Sequence, residues 1–194
     1  MIFQFQKQFP QLNSYWERYL PYQKRLDIPA KTNLLDEGTI SQYAIYIEKG
    51  SLRSYFNNNG EEKTVQFFFE EEGLSSLDSF VNNLPSPFTI VTMEPSIVYL
   101  LHRKHVLLLM DELSKETDFL MMFMKITASR LTHYSGEFIS FIRDSPEQRY
   151  LRLLNERPHI VQRVSQHYIA SYLGVSTVHL SRIKSKIAKG NAHF

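Results

Sequence analysis

The side chains that most clearly suit a binding role lie near the C-terminus, where a short run carries groups that can hydrogen-bond to nucleic acid. Four of them follow one another at spacings of one, three and one residues and therefore share one face of a predicted helix. They are Thr177, Val178, Ser181 and Arg182. Because arginine can donate two hydrogen bonds to one guanine, the pattern predicts a helix that reads bases in a DNA groove, with Arg182 as its main reader.

The residues before this helix predict a partner for it in a helix-turn-helix. Gly174 tolerates the positive φ of a tight turn, and Ala170 lets two helices approach closely. Ser176 is placed to cap the second helix. The predicted shared core consists of Ile169, Leu173, Val175, Leu180 and Ile183. The alternative is an ordinary pair of antiparallel helices in some other helical domain.

Charge distribution favours the DNA-binding interpretation. Residues 143–194 hold nine Lys and Arg against three Asp and Glu, a net of +6, whereas residues 1–142 hold thirteen against seventeen, a net of −4. A basic end on a mildly acidic body is typical of a domain that meets a phosphate backbone. The predicted phosphate contacts and caps are Ser165, Ser176, His179, Lys184 and Lys186.

Several classes of protein are excluded by residues that the chain lacks. It has no cysteine, so disulfides, cysteine-ligated iron–sulfur clusters and cysteine zinc sites are excluded. Residues 1–101 contain no histidine, which argues against a cupin-type metalloenzyme. We expect no enzyme, no metal and no cofactor. The apolar runs are too short to span a bilayer, so we expect a cytoplasmic protein without a membrane partner.

The element that precedes the basic end is predicted to be a long helix over residues 118–142. Seven of its residues alternate in spacings of three and four, the pattern of a coiled-coil seam. They are Leu120, Met124, Thr127, Leu131, Tyr134, Phe138 and Phe141, and we call this set the seam. The pattern predicts a homodimer, with intramolecular core as the alternative. A second apolar set predicts packing on the rest of the chain: Phe119, Phe123, Ile126, Ile139 and Ile142.

The first half of the chain is predicted to form a helix followed by short β-strands. Residues 1–25 have the spacing of an amphipathic helix, with Phe9 and Trp16 among its apolar residues, before Pro21 interrupts it. Glycines at 38, 50 and 60 then separate short β-like runs, as in an antiparallel barrel or jelly roll. The runs are Leu34–Leu35, Tyr43–Ile47, Leu52–Phe56, Thr64–Phe69, Ile90–Met93 and Ile97–Leu101. Asp144-Ser145-Pro146 predicts a hinge after the long helix.

This order of parts resembles the Crp/Fnr family of bacterial transcription regulators. The matching motifs are Leu35-Asp-Glu-Gly38, Ile45-Tyr-Ile-Glu-Lys-Gly-Ser-Leu-Arg53, Gly60-Glu-Glu62, Ala170-Ser-Tyr-Leu-Gly-Val175 and Leu180-Ser-Arg182. The resemblance implies an α+β protein that binds double-stranded DNA as a homodimer, with RNA polymerase as a further candidate partner. It implies an antiparallel β-roll effector domain with flanking helices (1–116), a dimerisation helix with hinge (117–144) and a winged-helix-like helix-turn-helix domain (145–194). Between Leu154 and Ser165 there is room only for a small wing.

One departure from the family bears on the effector. Members that bind cyclic nucleotides hold the ribose with a Gly-Glu pair and the phosphate with an arginine that a small hydroxyl residue follows. Here the arginine position falls near Ser86-Pro87, and no Lys or Arg occurs between Lys63 and Arg103, while Glu70-Glu71-Glu72 adds negative charge. A buried phosphate without a cation costs several kcal/mol or more. We therefore expect no cyclic-nucleotide binding.

Other effectors stay open. The candidate effector pocket comprises Phe69, Gly73, Ser75, Ser76, Ser86 and Phe88. A neutral ligand could bind among aromatic rings there, or the rings could be plain core. A haem ligand is not provided, because the first histidines, His102 and His105, begin a helix after the barrel. A sensor that responds to a cyclic nucleotide or another small ligand is the alternative function, and the effector itself is unidentified.

Overall fold

The structure, a computed structural model, describes residues 10–190. It divides into two compact units. Of the described residues, the first unit comprises 10–56 and Gln66–Lys125, and the second comprises Asn57–Val65 and 126–190. Phe9, which the sequence pattern assigns to the first helix, lies outside the described residues.

Two four-stranded antiparallel sheets form the β-roll. One has the order β1-β8-β3-β6 and the other the order β2-β7-β4-β5. The strands are β1 (Gln23–Ile28), β2 (Asn33–Leu35), β3 (Tyr43–Lys49), β4 (Leu52–Asn58), β5 (Glu61–Phe68), β6 (Gly73–Leu74), β7 (Thr89–Thr92) and β8 (Ser96–His102). Ile47 and Val98 from one sheet share a core with Leu52 and Ile90 from the other, and all four are almost fully buried. The predicted antiparallel β-roll is therefore confirmed.

The turns that glycines predict are present. Gly50 has a φ of 95°, and a Cβ added to it would overlap the Ser96 side chain, so no other residue fits there. At the β4–β5 turn Asn59 and Gly60 both have positive φ, 54° and 89°, which suits a two-residue hairpin. The Asn57 side chain accepts a 2.7 Å hydrogen bond from the Gly60 amide.

Residues 10–25 depart in part from the predicted helix. The α-helical part is α1 (Asn13–Tyr19), and a 3-10 turn at Leu20–Tyr22 leads directly into β1. Pro21 interrupts the helix, and residues from Gln23 pair with β8, with Leu26 opposite Val98. The extension of the helix to residue 25 is wrong because backbone pairing with β8 outweighs local pattern.

Three further helices follow: α2 (Leu77–Asn82), α3 (Arg103–Leu113) and the long α4 (Thr117–Arg143). The first two belong to the first unit, and α4 begins in the first unit and ends in the second. A second core joins α1, α3 and the start of α4. Trp16 is 1% exposed in this core and packs with Leu113 and Phe119. The Tyr15 hydroxyl donates a 2.6 Å hydrogen bond to Glu116, which ties α1 to the short turn before α4.

The second unit is mostly helical. After α4 come α5 (Pro146–Glu156), α6 (Pro158–Arg163), α7 (Gln166–Tyr172) and α8 (Thr177–Gly190). The long helix ends just before Asp144-Ser145-Pro146: Ser145 caps α5, and its hydroxyl and the Gln148 side chain exchange hydrogen bonds with each other's backbone amides. Between residues 145 and 190 the chain forms helices and no strand, so a wing is absent from that range and α6 lies where room for one was expected. Across residues 10–190, no helix has the length and apolarity needed to cross a membrane.

Candidate nucleic-acid interface

The turn between α7 and α8 has the geometry that its sequence predicts. Gly174 has a φ of 68°, and the Val175 amide donates to the Ala170 carbonyl at 3.0 Å. Ser176 caps α8, since its hydroxyl accepts a 3.1 Å hydrogen bond from the His179 amide. Thr177 is therefore the first residue of a capped helix with a defined start.

The predicted core between α7 and α8 is largely formed. Ile169, Leu173, Leu180 and Ile183 are buried, and Ala170 is 1% exposed at the contact. Val175 is only partly buried. These contacts fix which side of α8 faces inward, so the opposite side is left to solvent.

The outward side of α8 carries the residues predicted to read bases. Thr177, Ser181 and Arg182 are exposed, and Val178 is 60% exposed. His179 and Ser165 are exposed as well, and Ser165 sits at the N-cap of α7 without a side-chain capping bond. The structure thus brings these six residues to the surface of neighbouring elements.

The two lysines that are predicted to contact phosphate, Lys184 and Lys186, differ in their surroundings. Lys184 is partly buried. The Lys186 ammonium forms a 2.6 Å ion pair with Glu147 at the start of α5. Sequence spacing could not reveal this pair, because Glu147 lies far away in the chain. The pair is on the surface, so its contribution is small and falls with salt.

The seam is exposed along the whole of α4. Leu131 and Phe138 are 67% and 68% exposed, and the other five seam residues are also exposed. In the second apolar set only Phe119 is buried, and Ile142 reaches 72% exposure. The expectation that this whole set packs on the rest of the chain is therefore wrong. The packed side of α4 is instead formed by Phe119, Met122 and Ser140.

In the candidate effector pocket the polar groups bond to one another. The Ser86 hydroxyl donates to the Phe88 carbonyl at 2.7 Å, and it lies 3.0 Å from the Ser76 hydroxyl. Ser76 and Ser86 are almost fully buried, as is Phe69, whereas Gly73, Ser75 and Phe88 are partly exposed. Ser86, near which the sequence predicts the arginine position to fall, is therefore a small, hydrogen-bonded hydroxyl.

Two of the three consecutive glutamates accept hydrogen bonds from backbone amides. Glu70 accepts a 2.9 Å hydrogen bond from the Gly50 amide, and Glu72 accepts one from the Phe69 amide at 3.0 Å. Glu71 is exposed with a φ of 67°. The carboxylates of Glu70 and Glu72 thus hold the turn after β5.

Arg53, on β4, is a buried cation that the sequence analysis does not predict. It is 3% exposed, and its guanidinium lies 4.2 Å from the centre of the Tyr55 ring. Alternate residues of a strand face opposite sides, and the neighbouring Leu52 belongs to the core, so Arg53 lies on the other face of the sheet from the core. It does not replace the missing arginine inside the roll.

The histidines after β8 have structural partners. His102 caps α3 by accepting a hydrogen bond from the Lys104 amide, and the His105 ring stacks on Tyr22 with centres 4.0 Å apart. Burial lowers the pKa of His105, and the neighbouring Lys104 and His102 add to this. Over residues 10–190 no three His, Asp or Glu side chains gather as a metal site.

Comparison with known proteins agrees with this fold. Residues 25–112 match the family model of the cyclic nucleotide-binding domain. No curated protein matches the chain. The c-di-GMP-responsive global regulator CLP from Xanthomonas campestris is similar in structure at 17% identity, with a TM-score of 0.73 over 92% of this chain and 93% of CLP.

Two other solved structures extend the likeness. FixK2 from Bradyrhizobium japonicum is 14% identical, with a TM-score of 0.69 over 87% of this chain and 86% of FixK2. The catabolite activator protein of Thermus thermophilus is 18% identical, with a TM-score of 0.51 over 92% of this chain and 84% of its own. These are proteins of the Crp/Fnr type, and at such identities the likeness establishes the fold: an antiparallel jelly roll with flanking helices.

Proposed function

We propose that this protein is a sequence-specific, DNA-binding transcription regulator of the Crp/Fnr type that acts as a homodimer. The observation that carries the proposal is the outward face of α8. It presents Val178, 60% exposed, beside the exposed Arg182 in a segment with five basic residues and no acidic one from residue 160 to 194. An aliphatic residue and an arginine together on a basic, solvent-facing helix suit the methyl groups and guanine edges of a major groove.

Each residue of this face has a proposed role. Arg182 donates to a guanine, and Thr177 and Val178 contact base edges, with Ser181 beside them. Phosphates are contacted by Ser165, His179 and Lys184, while Ser176 keeps its capping bond. Lys186 reaches a phosphate only by leaving Glu147, since the two are now paired at 2.6 Å.

The exposed seam supports the dimer. Soluble monomers rarely leave a continuous apolar surface of this kind in water, and Leu131 and Phe138 are both about two-thirds exposed (67% and 68%). Two copies related by a two-fold axis would bury the seam of each against the other. Their α8 helices would then enter successive major grooves about 34 Å apart.

For the β-roll we propose an effector domain that does not bind cyclic nucleotides. Ser76 and Ser86 already satisfy each other within 3.0 Å, and Arg53 lies on the opposite face of its sheet from the core. CLP is described as responsive to c-di-GMP. A cyclic dinucleotide carries two phosphates, so the lack of cations between residues 64 and 102 weighs against that ligand here as well.

The match of residues 25–112 to the cyclic nucleotide-binding domain supports a second candidate, a regulator switched by a cyclic nucleotide or another small ligand. The two candidates differ in whether a ligand is needed for DNA binding. A purified protein that binds its operator without any additive supports the first. Binding that appears only with an added nucleotide supports the second.

Selection of DNA from a random library by the purified full chain tests the proposal. We expect enrichment of an inverted repeat whose half-sites are centred about 10 base pairs apart, because two α8 helices in a symmetric dimer face the same side of the duplex. Enrichment of no sequence, with only salt-sensitive retention of all DNA, would contradict sequence-specific recognition. An asymmetric single half-site would contradict the dimer.

A further inference from the structure

One arginine, Arg149 on α5, binds three carbonyl groups from three separate segments. Its guanidinium donates to the carbonyls of Phe141 at 3.3 Å, Asp144 at 2.7 Å and Leu173 at 2.8 Å. Phe141 lies in the last turn of α4, Asp144 in the hinge and Leu173 at the end of α7. All four residues belong to the second unit.

Two of these carbonyls are ones that a helix leaves without an internal partner. The last four carbonyls of a helix have no amide of their own helix to accept from, and a cation at that end also meets the negative pole of the helix dipole. Arg149 supplies a hydrogen-bond donor and a positive charge to the C-terminal end of α4, through Phe141, and to that of α7, through Leu173. A planar guanidinium can serve several acceptors at fixed angles, which a lysine ammonium does not.

The side chain of Phe141 forms the other half of this contact. The Arg149 guanidinium lies 4.5 Å from the centre of its ring. A Cβ added to Gly174 would lie 2.9 Å from the Phe141 Cζ, so the ring also packs against the turn that precedes α8. Phe141 nevertheless remains 56% exposed and belongs to the seam.

From this arrangement we infer that Phe141 and Arg149 are positioning residues that fix the turn before α8 to the end of the seam. The inference rests on the proposed dimeric DNA-binding function and deepens it. In the dimer, the exposed part of Phe141 meets the partner while its packed part holds Gly174. The separation of the two α8 helices, and hence the half-site spacing that the dimer accepts, is then set by these two side chains.

The test compares Arg149→Lys in the full chain with Arg143→Lys as a matched control. Arg143 also lies beside the hinge, but its side chain is 70% exposed and pairs with Asp144 alone. Affinity is measured on the selected operator, on operators with one base pair added or removed between half-sites, and on a single half-site. We expect the wild type and Arg143→Lys to lose about tenfold on the altered spacings, comparable to a mismatched base pair.

Arg149→Lys should lose much less than tenfold on altered spacing, with unchanged half-site affinity and an unchanged dimer by light scattering. Phe141→Leu is the second variant, because it keeps the seam apolar but removes the ring that packs on Gly174, and it should relax spacing in the same way. Strict spacing in both variants would overturn the inference. A wild type that is monomeric, or that selects no operator, would instead overturn the proposed function.

Discussion

The Tyr172 hydroxyl donates a 2.6 Å hydrogen bond to one carboxylate oxygen of Glu137, which joins α7 to the C-terminal third of the long α4. The other oxygen of Glu137 accepts from Arg152 on α5, also at 2.6 Å. Burial raises the pKa of Tyr172, and the bond to Glu137 raises it further, so the hydroxyl keeps its proton at neutral pH. Glu137 therefore bonds α4 to α5 and α7, while the seam of α4 stays exposed.

Replacing Leu131 by Asp should dissociate the dimer. Leu131 is 67% exposed in the single chain and lies in the middle of the seam, where a carboxylate would face its own copy across the two-fold axis. Light scattering at micromolar concentration should give a dimer for the wild type and a monomer for the variant. Leu108→Asp is the control, because Leu108 is also exposed, at 52%, but lies on α3. A wild-type monomer, or equal effects of both variants, would contradict the seam assignment.

Cyclic AMP and cyclic GMP should not bind. The Ser86 hydroxyl, at the expected phosphate position, lies 3.0 Å from the Ser76 hydroxyl and donates to the Phe88 carbonyl, and no Lys or Arg occurs between residues 64 and 102 of the sequence. Titration calorimetry of the full chain should show no binding heat for either nucleotide. A micromolar dissociation constant would show that backbone amides replace the arginine.

The sequence predicts well those features of the fold that depend on neighbouring residues in the chain. Gly174 and Ser176 each act within their own turn, and the three-and-four spacing of the seam reflects one helix. The parts that it misses depend on distant partners. β1 has mostly exposed side chains and is held by backbone pairing with β8, so its pattern carries little strand signal. The role of Arg149 follows from three carbonyls that spacing does not encode.

Replacing Gly136 by Ala should stabilise the protein. Gly136 lies inside α4, and an added Cβ would meet no atom within 4 Å, so the change removes backbone freedom of the unfolded chain without a clash. We expect a gain of about 0.5–1 kcal/mol and a rise in Tm of about 1–4 °C. Gly60→Ala is the matched control: its surroundings are equally open, but its φ of 89° strains alanine, so Tm should fall. A fall in Tm for Gly136→Ala would indicate that a partner helix approaches at this position.

Replacing Asp144 by Asn should weaken the hinge at neutral pH but not in acid. Hydrogen bonds from Arg143 and Ser140 lower the pKa of Asp144 from 3.8 to about 2. A carboxyl whose pKa is lowered by folding stabilises the folded state above its ordinary pKa, and this contribution disappears as pH falls through its folded pKa. Thermal melting should therefore show a gap between wild type and variant at pH 7 that shrinks from about pH 4 toward about pH 2. A gap that stays constant over that range would show that the Asp144 charge does not stabilise the hinge.

The most direct test of base reading by α8 compares Arg182→Ala with Lys184→Ala on the selected operator and on random DNA. Arg182 lies one turn beyond Val178 on the exposed face, whereas Lys184 lies about 120° around the helix from Val178 and is partly buried. Arg182→Ala should cost about 1–3 kcal/mol on the operator and little on random DNA, with relaxed preference at one base pair. Lys184→Ala should weaken both DNAs equally and lower the salt slope by about one. Equal losses on both DNAs for Arg182→Ala would contradict the account, because Arg182 would then bind phosphate rather than read a base.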